Sequence, residues 1–190
     1  FLHNADVSVD LRGNKVEVLR PHAENFKVTL VDTGLNTLTA GRLKRVRQYA
    51  GTEPFMLTYG DGLADIDINK LIDYHKKKGK TATMTAIQPG SRFGILDLDE
   101  QNMVRAFTEK PKEEGAWING GFFVLQPEIF NCLPDGADAM MWEAEPMAAL
   151  VKDRQLCVYK HSGFWKCMDT LRDKTELEKM WDTTPKWKVW

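Results

Sequence analysis

The sequence predicts an α/β fold with a mixed, mostly parallel central sheet and an inserted β-hairpin. Three observations carry this. Short apolar runs such as Phe55 to Tyr59, Thr81 to Ile87 and Phe122 to Leu125 alternate with segments of helical period such as Ile68 to Lys78, the order that builds a sheet covered by helices. The runs break at glycines or acids, as in Tyr59-Gly60-Asp61-Gly62 and Met168-Asp169-Thr170, which marks strand ends entering tight turns. At 190 residues the chain can bury about 70% of its unfolded surface, enough for one domain with a real core.

The elements follow in order. Val7, Val9 and Leu11 alternate with polar residues, Arg12-Gly13-Asn14 turns, and Val16 and Val18 alternate again, which predicts a β-hairpin. Val28 to Val31 reads as a further strand ending in Asp32-Thr33-Gly34. A helix is predicted from Gly41, with Leu43, Val46, Tyr49 and Ala50 on one face, closed by Gly51. Arg42 in its first turn opposes the helix dipole, so it reads as a ligand contact or as part of a solvated basic face rather than as a stabiliser.

After the Phe55 to Tyr59 strand, Asp67 is the predicted N-cap and Gly79 the C′ residue of a helix over Ile68 to Lys78. That helix buries Ile68, Leu71, Ile72 and His75, the histidine as a packed residue. Thr81 to Ile87 is a strand. Ile95, Leu96 and Leu98 pair with Val104, Ala106 and Phe107 in a hairpin across Asp99 to Asn102. Two glycines open the strand that follows Trp117-Ile118-Asn119, marking a bulge or a ligand pressed against the backbone. Pro127 begins a short helix through Phe130 and Leu133, and a second helix covers roughly Met141 to Lys152. Leu156 to Tyr159 and Phe164 to Met168 are strands, and Thr170 with Asp173 at N3 forms a capping-box start for the last helix. The tryptophan-rich tail is expected to dock on its own domain or on a neighbouring subunit.

Composition narrows the function classes. A net charge of −1 argues against non-specific nucleic-acid binding, and the basic cluster Arg42 to Arg47 is short enough to have a local explanation. No apolar run is long enough to cross a bilayer, and the opening residues lack a signal-peptide pattern. Cys132, Cys157 and Cys167 are odd in number and lack metal-ligand spacing, so they read as reduced thiols, with the cytoplasm as the expected compartment.

The chemistry centres on Asp61, set between Gly60 and Gly62 at a strand's end, where an open α/β sheet binds ligands and glycine lets a phosphate approach. A turn aspartate reads the same way in isolation. Asp169 is expected at the same edge. Two carboxylates about 4 Å apart repel by something on the order of 4 kcal/mol at an effective dielectric of roughly 20, so such a pair implies a shared proton or a cation. Magnesium with phosphates suits them. Lys110, fixed by Pro111, offers a positive charge to a second phosphate, and Glu109 and Asn119 offer hydrogen bonds to sugar hydroxyls.

Tyr59-Gly60-Asp61-Gly62, Glu109-Lys110-Pro111, Trp117-Ile118-Asn119-Gly120-Gly121, Gly163-Phe164-Trp165, Met168-Asp169-Thr170 and the end Trp187-Lys188-Val189-Trp190 together resemble the sugar-1-phosphate nucleotidyltransferase family. The resemblance covers the whole chain and implies a Rossmann-like sandwich. It also implies cytidylyl transfer from CTP to glucose 1-phosphate with Mg2+, giving CDP-glucose and pyrophosphate for deoxysugar, O-antigen and lipopolysaccharide synthesis, in a homo-oligomer.

By that resemblance Asp61 and Asp169 are the metal ligands and, with Lys110, the catalytic set. Lys110 holds the sugar phosphate, Glu109, Asn119 and Gly120 the glucosyl unit, and Gly41 and Arg42 part of the nucleotide. Tyr59, Gly60 and Trp165 complete the substrate-binding set. Residues 1–60 then correspond to the remainder of a nucleotide-binding half, and 61–190 to the sugar-phosphate and metal-binding half with the C-terminal helix and tail.

Departures are Ala40 in place of a further glycine, Gly90-Ser91, and Lys166-Cys167 before Met168. The family opens with a loop of pattern G-G-x-G-T-R that holds the triphosphate. These residues lack one, so the chain is expected to match the later three quarters of the enzyme and to turn over poorly alone. Two other readings stay open: a glycosyltransferase using Asp65-Ile66-Asp67 as a D-x-D motif, and a catalytically silent sugar-phosphate-binding or assembly fragment.

Overall fold

The computed structural model describes residues 6–20, 27–89, 95–98, 103–108 and 116–189. By its contacts the chain divides into residues 1–32 and 33–190. In the first unit β1 (Asp6–Asp10) and β2 (Lys15–Arg20) pair antiparallel around a turn at Asn14, which takes a positive φ of 49°.

The second unit is built on a four-stranded sheet of β3 (Phe55–Thr58), β8 (Ile118–Leu125), β5 (Ala82–Ile87) and β9 (Leu156–His161), in that spatial order. β8 runs antiparallel to both neighbours and β5 runs parallel to β9, so three strands point one way and β8 opposes them. The sheet is mixed, as the sequence predicts. Its C-terminal edge collects the ends of β3, β5 and β9 together with the start of β8.

Two small antiparallel ribbons complete the strands: β4 (Gly62–Ala64) with β10 (Trp165–Cys167), and β6 (Ile95–Leu98) with β7 (Val104–Thr108). The second is the predicted inserted hairpin.

Helices cover both faces of the sheet. Successive residues of β8 point to opposite sides, so Phe123 and Leu125 enter one core and Val124 the other. The larger core joins Ala40 and Leu43 of α1 (Thr39–Arg45), Ile129, Phe130 and Leu133 at the 3₁₀ turn Pro127–Cys132, Trp142, and Leu150 of α4 (Glu145–Lys152). The smaller one packs Leu71 of α3 (Ile68–Lys78) and Ile66 on Val124. The termini of α3 are as predicted: the Asp67 side chain accepts from the Lys70 N–H at 3.0 Å, and Gly79 closes the helix at φ 56°. His75 is a packed residue. Its Nε2 faces the Gln126 amide nitrogen at 2.9 Å and so accepts, which leaves Nδ1–H to donate to Thr83 Oγ1 at 2.7 Å.

Several expectations give way. Val28 to Val31 forms no strand; Val28 and Leu30 are 64% and 92% exposed, and among the described residues no strand pairs with that run. The helix predicted from Gly41 starts at Thr39 and breaks at Val46 before a single turn, α2 (Arg47–Ala50). Ile68 is exposed at the first position of α3, while Ile66 and Leu71 on either side of it fill the core. The Met141 helix begins only at Glu145, because Trp142 is committed to the core and Pro146 suits a first turn. The strands predicted to end at Tyr159 and to span Phe164 to Met168 instead run to His161 and cover Trp165–Cys167. The predicted turn over Asp99 to Asn102 falls outside the described residues.

The last helix, α5 (Leu171–Thr183), carries the full capping box. Thr170 Oγ1 accepts from the Asp173 N–H at 3.2 Å, and the Asp173 carboxylate accepts from the Thr170 N–H at 3.1 Å. Lys166 of β10 adds a bond to Asp173 at 3.2 Å. The tail returns to its own unit, with Trp187 buried between Phe164 and Trp181.

Hydrogen bonds from Thr170, and then Lys166, hold the Asp173 carboxyl down to about 2. Thr170→Ala is expected to lower stability by about 1 kcal/mol in urea unfolding near neutral pH. Since the folded-state value is depressed, the Asp173 contribution is complete above the ordinary carboxylate value of 3.8 and disappears as pH falls through about 2. Asp173→Asn is expected to flatten that part of the stability profile.

Candidate active site

The two predicted metal ligands arise at the ends of one ribbon. β4 and β10 pair with Gly62 opposite Cys167, and the ladder continues one step further, where the Met168 N–H donates to the Asp61 carbonyl at 2.9 Å. Asp169 is the next residue. Backbone pairing alone therefore brings Asp61 and Asp169 to one rim, and both are exposed there. Asp169 Oδ2 accepts from the Cys167 thiol at 3.0 Å. Burial, then this bond, pushes the thiol up from its ordinary value, so Cys167 stays protonated. Among the described residues neither aspartate is paired with a cation.

Next to the acids the β8 bulge shapes the floor. Met84 faces Phe123 and Ala86 faces Asn119, so β8 carries two more residues than β5 over this interval. Gly120 and Gly121 are those residues. A Cβ on Gly121, at φ 79°, would meet Tyr59 Cδ2 at 3.0 Å. One on Gly120 would meet Thr85 Oγ1 at 3.1 Å and Ile87 Cγ2 at 3.2 Å. The bulge, one of the two predicted explanations for this glycine pair, is present, and the protein packs closely around it.

Asn119 is fixed at both ends of its amide: Oδ1 accepts from the Gly121 N–H at 2.8 Å and Nδ2 donates to Tyr59 OH at 3.2 Å. The phenol donates in turn to Glu143 Oε1 at 2.5 Å. Burial, then the bond to Glu143, raises the Tyr59 phenol well above its ordinary value of 10.0, so it stays neutral. Trp165 contributes through its indole N–H, which donates to the Gly120 carbonyl at 2.7 Å and ties the acid-bearing ribbon to the bulge. Gly60 differs from its neighbours, since a Cβ there would meet nothing within 4 Å.

On the α1 side, Gly41 is a packing glycine; an added Cβ would lie 2.6 Å from the Asp138 Cα. Arg42, predicted to meet the ligand, spends Nη1 on Thr33 Oγ1 at 2.6 Å and Nη2 on the Leu35 carbonyl at 3.3 Å, pinning the loop before the helix. An apolar cavity of about 240 Å³ lies between α1 and β3, lined by Leu43, Val46, Leu57, Tyr59 and Trp142 with Thr39 and Arg42 at its polar side. A larger cleft of about 610 Å³ has none of the predicted site residues in its lining, and two of its cations are committed, Lys44 to Asp135 and Arg45 to Asp138. Glu109 and Lys110 lie outside the described residues.

The D-x-D reading loses its carboxylates. Asp67 caps α3, Ile66 is buried, and Asp65 lies against His161 Nε2 at 2.9 Å. A Cβ on Gly163 would sit 2.3 Å from Asp65 Oδ1, so glycine there is what admits the carboxylate. Glu143 is the site residue that the sequence reading missed. Its sequence signal was the acid following a core tryptophan, in a segment otherwise read as part of a helix.

Residues 15–176 match the family model described as nucleotidyl transferase. The chain is 49% identical over 192 aligned positions to the glucose-1-phosphate cytidylyltransferase of Salmonella typhi, covering 100% of this chain and 74% of the relative. The protein of the same name from Salmonella typhimurium gives the same figures. Among solved structures, HddC from Yersinia pseudotuberculosis superposes with a TM-score of 0.56 at 19% identity, over 77% of this chain and 64% of that one, a likeness of fold.

Gly60→Ala is expected to leave stability within about 0.5 kcal/mol of wild type. Gly121→Ala, forced into a left-handed backbone against Tyr59, should cost about 1 to 3 kcal/mol. Denaturant midpoints of the two variants check the contrast.

Proposed function

The chain belongs to the nucleotidyl transferase family of enzymes, and on that premise we propose that it makes CDP-glucose and pyrophosphate from CTP and glucose 1-phosphate. A phosphate oxygen of glucose 1-phosphate attacks the α-phosphorus of CTP. The bond from that phosphorus to the bridging oxygen breaks, and pyrophosphate leaves in line. The protein's task is positioning and charge neutralisation, and no covalent intermediate is required. The observation that carries this reading is the Met168-to-Asp61 backbone bond, which brings two exposed acids to the sheet edge where α/β folds bind nucleotides.

The donor set fits a divalent ion. Asp61 and Asp169 offer hard oxygen donors with no competing cation among the described residues, which suits Mg2+, an ion that takes few carboxylates and fills its shell with phosphate oxygens. When bound, the ion would neutralise charge on the reacting phosphates. In this reading Asn119 meets a sugar hydroxyl through the half of its amide left free, and the bare backbone at Gly60 lets the phosphates come close. Gly41 and Arg42 shape the nucleotide side through the loop they brace. Lys110 holds the phosphate of glucose 1-phosphate, with Glu109 beside it on the sugar. Residues 1–60 then belong to the nucleotide half and 61–190 to the sugar-phosphate half.

The test is pyrophosphate release by the full-length protein with CTP, UTP and dTTP, each paired with glucose 1-phosphate and with mannose 1-phosphate. CTP with glucose 1-phosphate should be preferred, and a clear preference for another pair would refute the assignment. Lys110→Ala is expected to lower kcat/KM for glucose 1-phosphate roughly tenfold to a hundredfold, the loss of one charge-assisted hydrogen bond. An unchanged kcat/KM would remove Lys110 from that role.

A further inference from the structure

We infer that Glu143 is a positioning residue that sets the direction of the hydrogen bonds reaching Asn119, so that the Asn119 amide presents its remaining N–H to the sugar phosphate. The identity of that ligand rests on the cytidylyltransferase reading above; the orientation of the amide does not.

The argument is one of donors and acceptors. An ionised carboxylate only accepts. Glu143 Oε1 takes the single proton of the Tyr59 phenol, and Oε2 takes that of the Thr39 hydroxyl at 3.1 Å. The Tyr59 oxygen is therefore left as an acceptor toward its second partner, and only the nitrogen of the Asn119 amide can supply the proton at 3.2 Å. The backbone N–H of Gly121, a donor and nothing else, claims Asn119 Oδ1 from the other side. With both ends assigned, the amide cannot flip, and one N–H and one lone pair stay free for a ligand.

Without Glu143, the phenol proton can turn toward Asn119, whose Nδ2 cannot accept it, and the bond between them is lost. The amide would then be pinned only at Gly121. The raised Tyr59 value agrees with the proton staying on the phenol.

Glu143 is itself well anchored. The preceding Trp142 is buried against Phe123, and its backbone N–H donates to Thr39 Oγ1 at 2.8 Å, the hydroxyl that donates to Glu143. Thr39 is the first residue of α1, Tyr59 follows β3, and Asn119 lies in β8. One exposed carboxylate thus joins the helix on the nucleotide side to the strand on the sugar side through the half-buried phenol.

The test uses Glu143→Ala, Tyr59→Phe and the double variant in the full-length protein. Each single variant is expected to raise KM for glucose 1-phosphate about tenfold, with KM for CTP changing less than about twofold. The double variant should be no worse than either single, because both cut the same chain. Multiplying losses, an equal rise in KM for CTP, or unchanged kinetics in a folded Glu143→Ala protein would each overturn the proposal.

A spectroscopic readout is independent of turnover. In nuclear magnetic resonance spectra at neutral pH the Asn119 side-chain amide signals, missing in Asn119→Asp, should shift alike in Glu143→Ala and Tyr59→Phe; unshifted signals in Glu143→Ala would also overturn it. If the wild type releases no pyrophosphate from any substrate pair, the functional reading fails, and these signals still decide the role of Glu143.

Discussion

The site depends on one short stretch of backbone pairing. β4 and β10 each contribute three residues, and the extra bond from the Met168 N–H to the Asp61 carbonyl extends their ladder to the point where the two acids stand. Asp61 comes from the turn after β3, and Asp169 comes from the residue before the cap of α5. Neither acid needs a side-chain partner to be brought to the other. The ribbon is too small to hold itself, since a two-stranded hairpin is marginal in water. It is held by what it touches: Trp165 to the Gly120 carbonyl, Asp65 N–H to the Phe164 carbonyl, and Lys166 to the cap of α5.

The bulge in β8 is the second constraint, and it follows from the first. Trp165 reaches the Gly120 carbonyl where the ladder with β5 is interrupted, so that oxygen is available to an indole. The same interruption turns Gly121 into a left-handed conformation, directs its N–H to Asn119 and clears room for the Tyr59 ring. Two glycines that weaken a strand by their entropy are retained because a side chain at either would displace Tyr59, Thr85 or Ile87.

What was legible in the sequence follows the range of the interactions involved. The caps of α3 and α5 were readable because Asp67 and Thr170 act on backbone only three residues away. The core strands β5 and β8 were readable from apolar runs, and the bulge from paired glycines. Val28 to Val31 misled because local β-propensity says nothing about whether a sheet lies alongside, and here that segment stays exposed. The direction of β8 was hidden for a similar reason, since a continuous apolar run is the same read in either direction.

Glu143 was illegible because its meaning comes from Tyr59 and Thr39, both distant in sequence. Arg42 is the converse case. With α1 beginning at Thr39 it falls in the helix's last turn, where a cation suits the dipole, and its guanidinium bonds to Thr33 Oγ1 and the Leu35 carbonyl, a setting that a helix read from Gly41 could not show.

The contrast between exposed acids and a half-buried phenol shows how the fold treats charged and neutral groups differently. Asp61 and Asp169 stand in water, where two charges even about 4 Å apart repel by only about 1 kcal/mol, so the protein holds them together without an internal counter-charge. In the proposed function, phosphates completing the shell and excluding solvent would strengthen a cation's hold on that pair. Tyr59, by contrast, is half-buried and partly desolvated, and a wrongly directed proton there would leave its hydroxyl without its partner. The acceptor-only carboxylate of Glu143 removes that ambiguity. The scaffold thus leaves its charged groups loosely constrained at the rim and spends directional bonding on the neutral groups behind them, where an error in hydrogen-bond direction costs most.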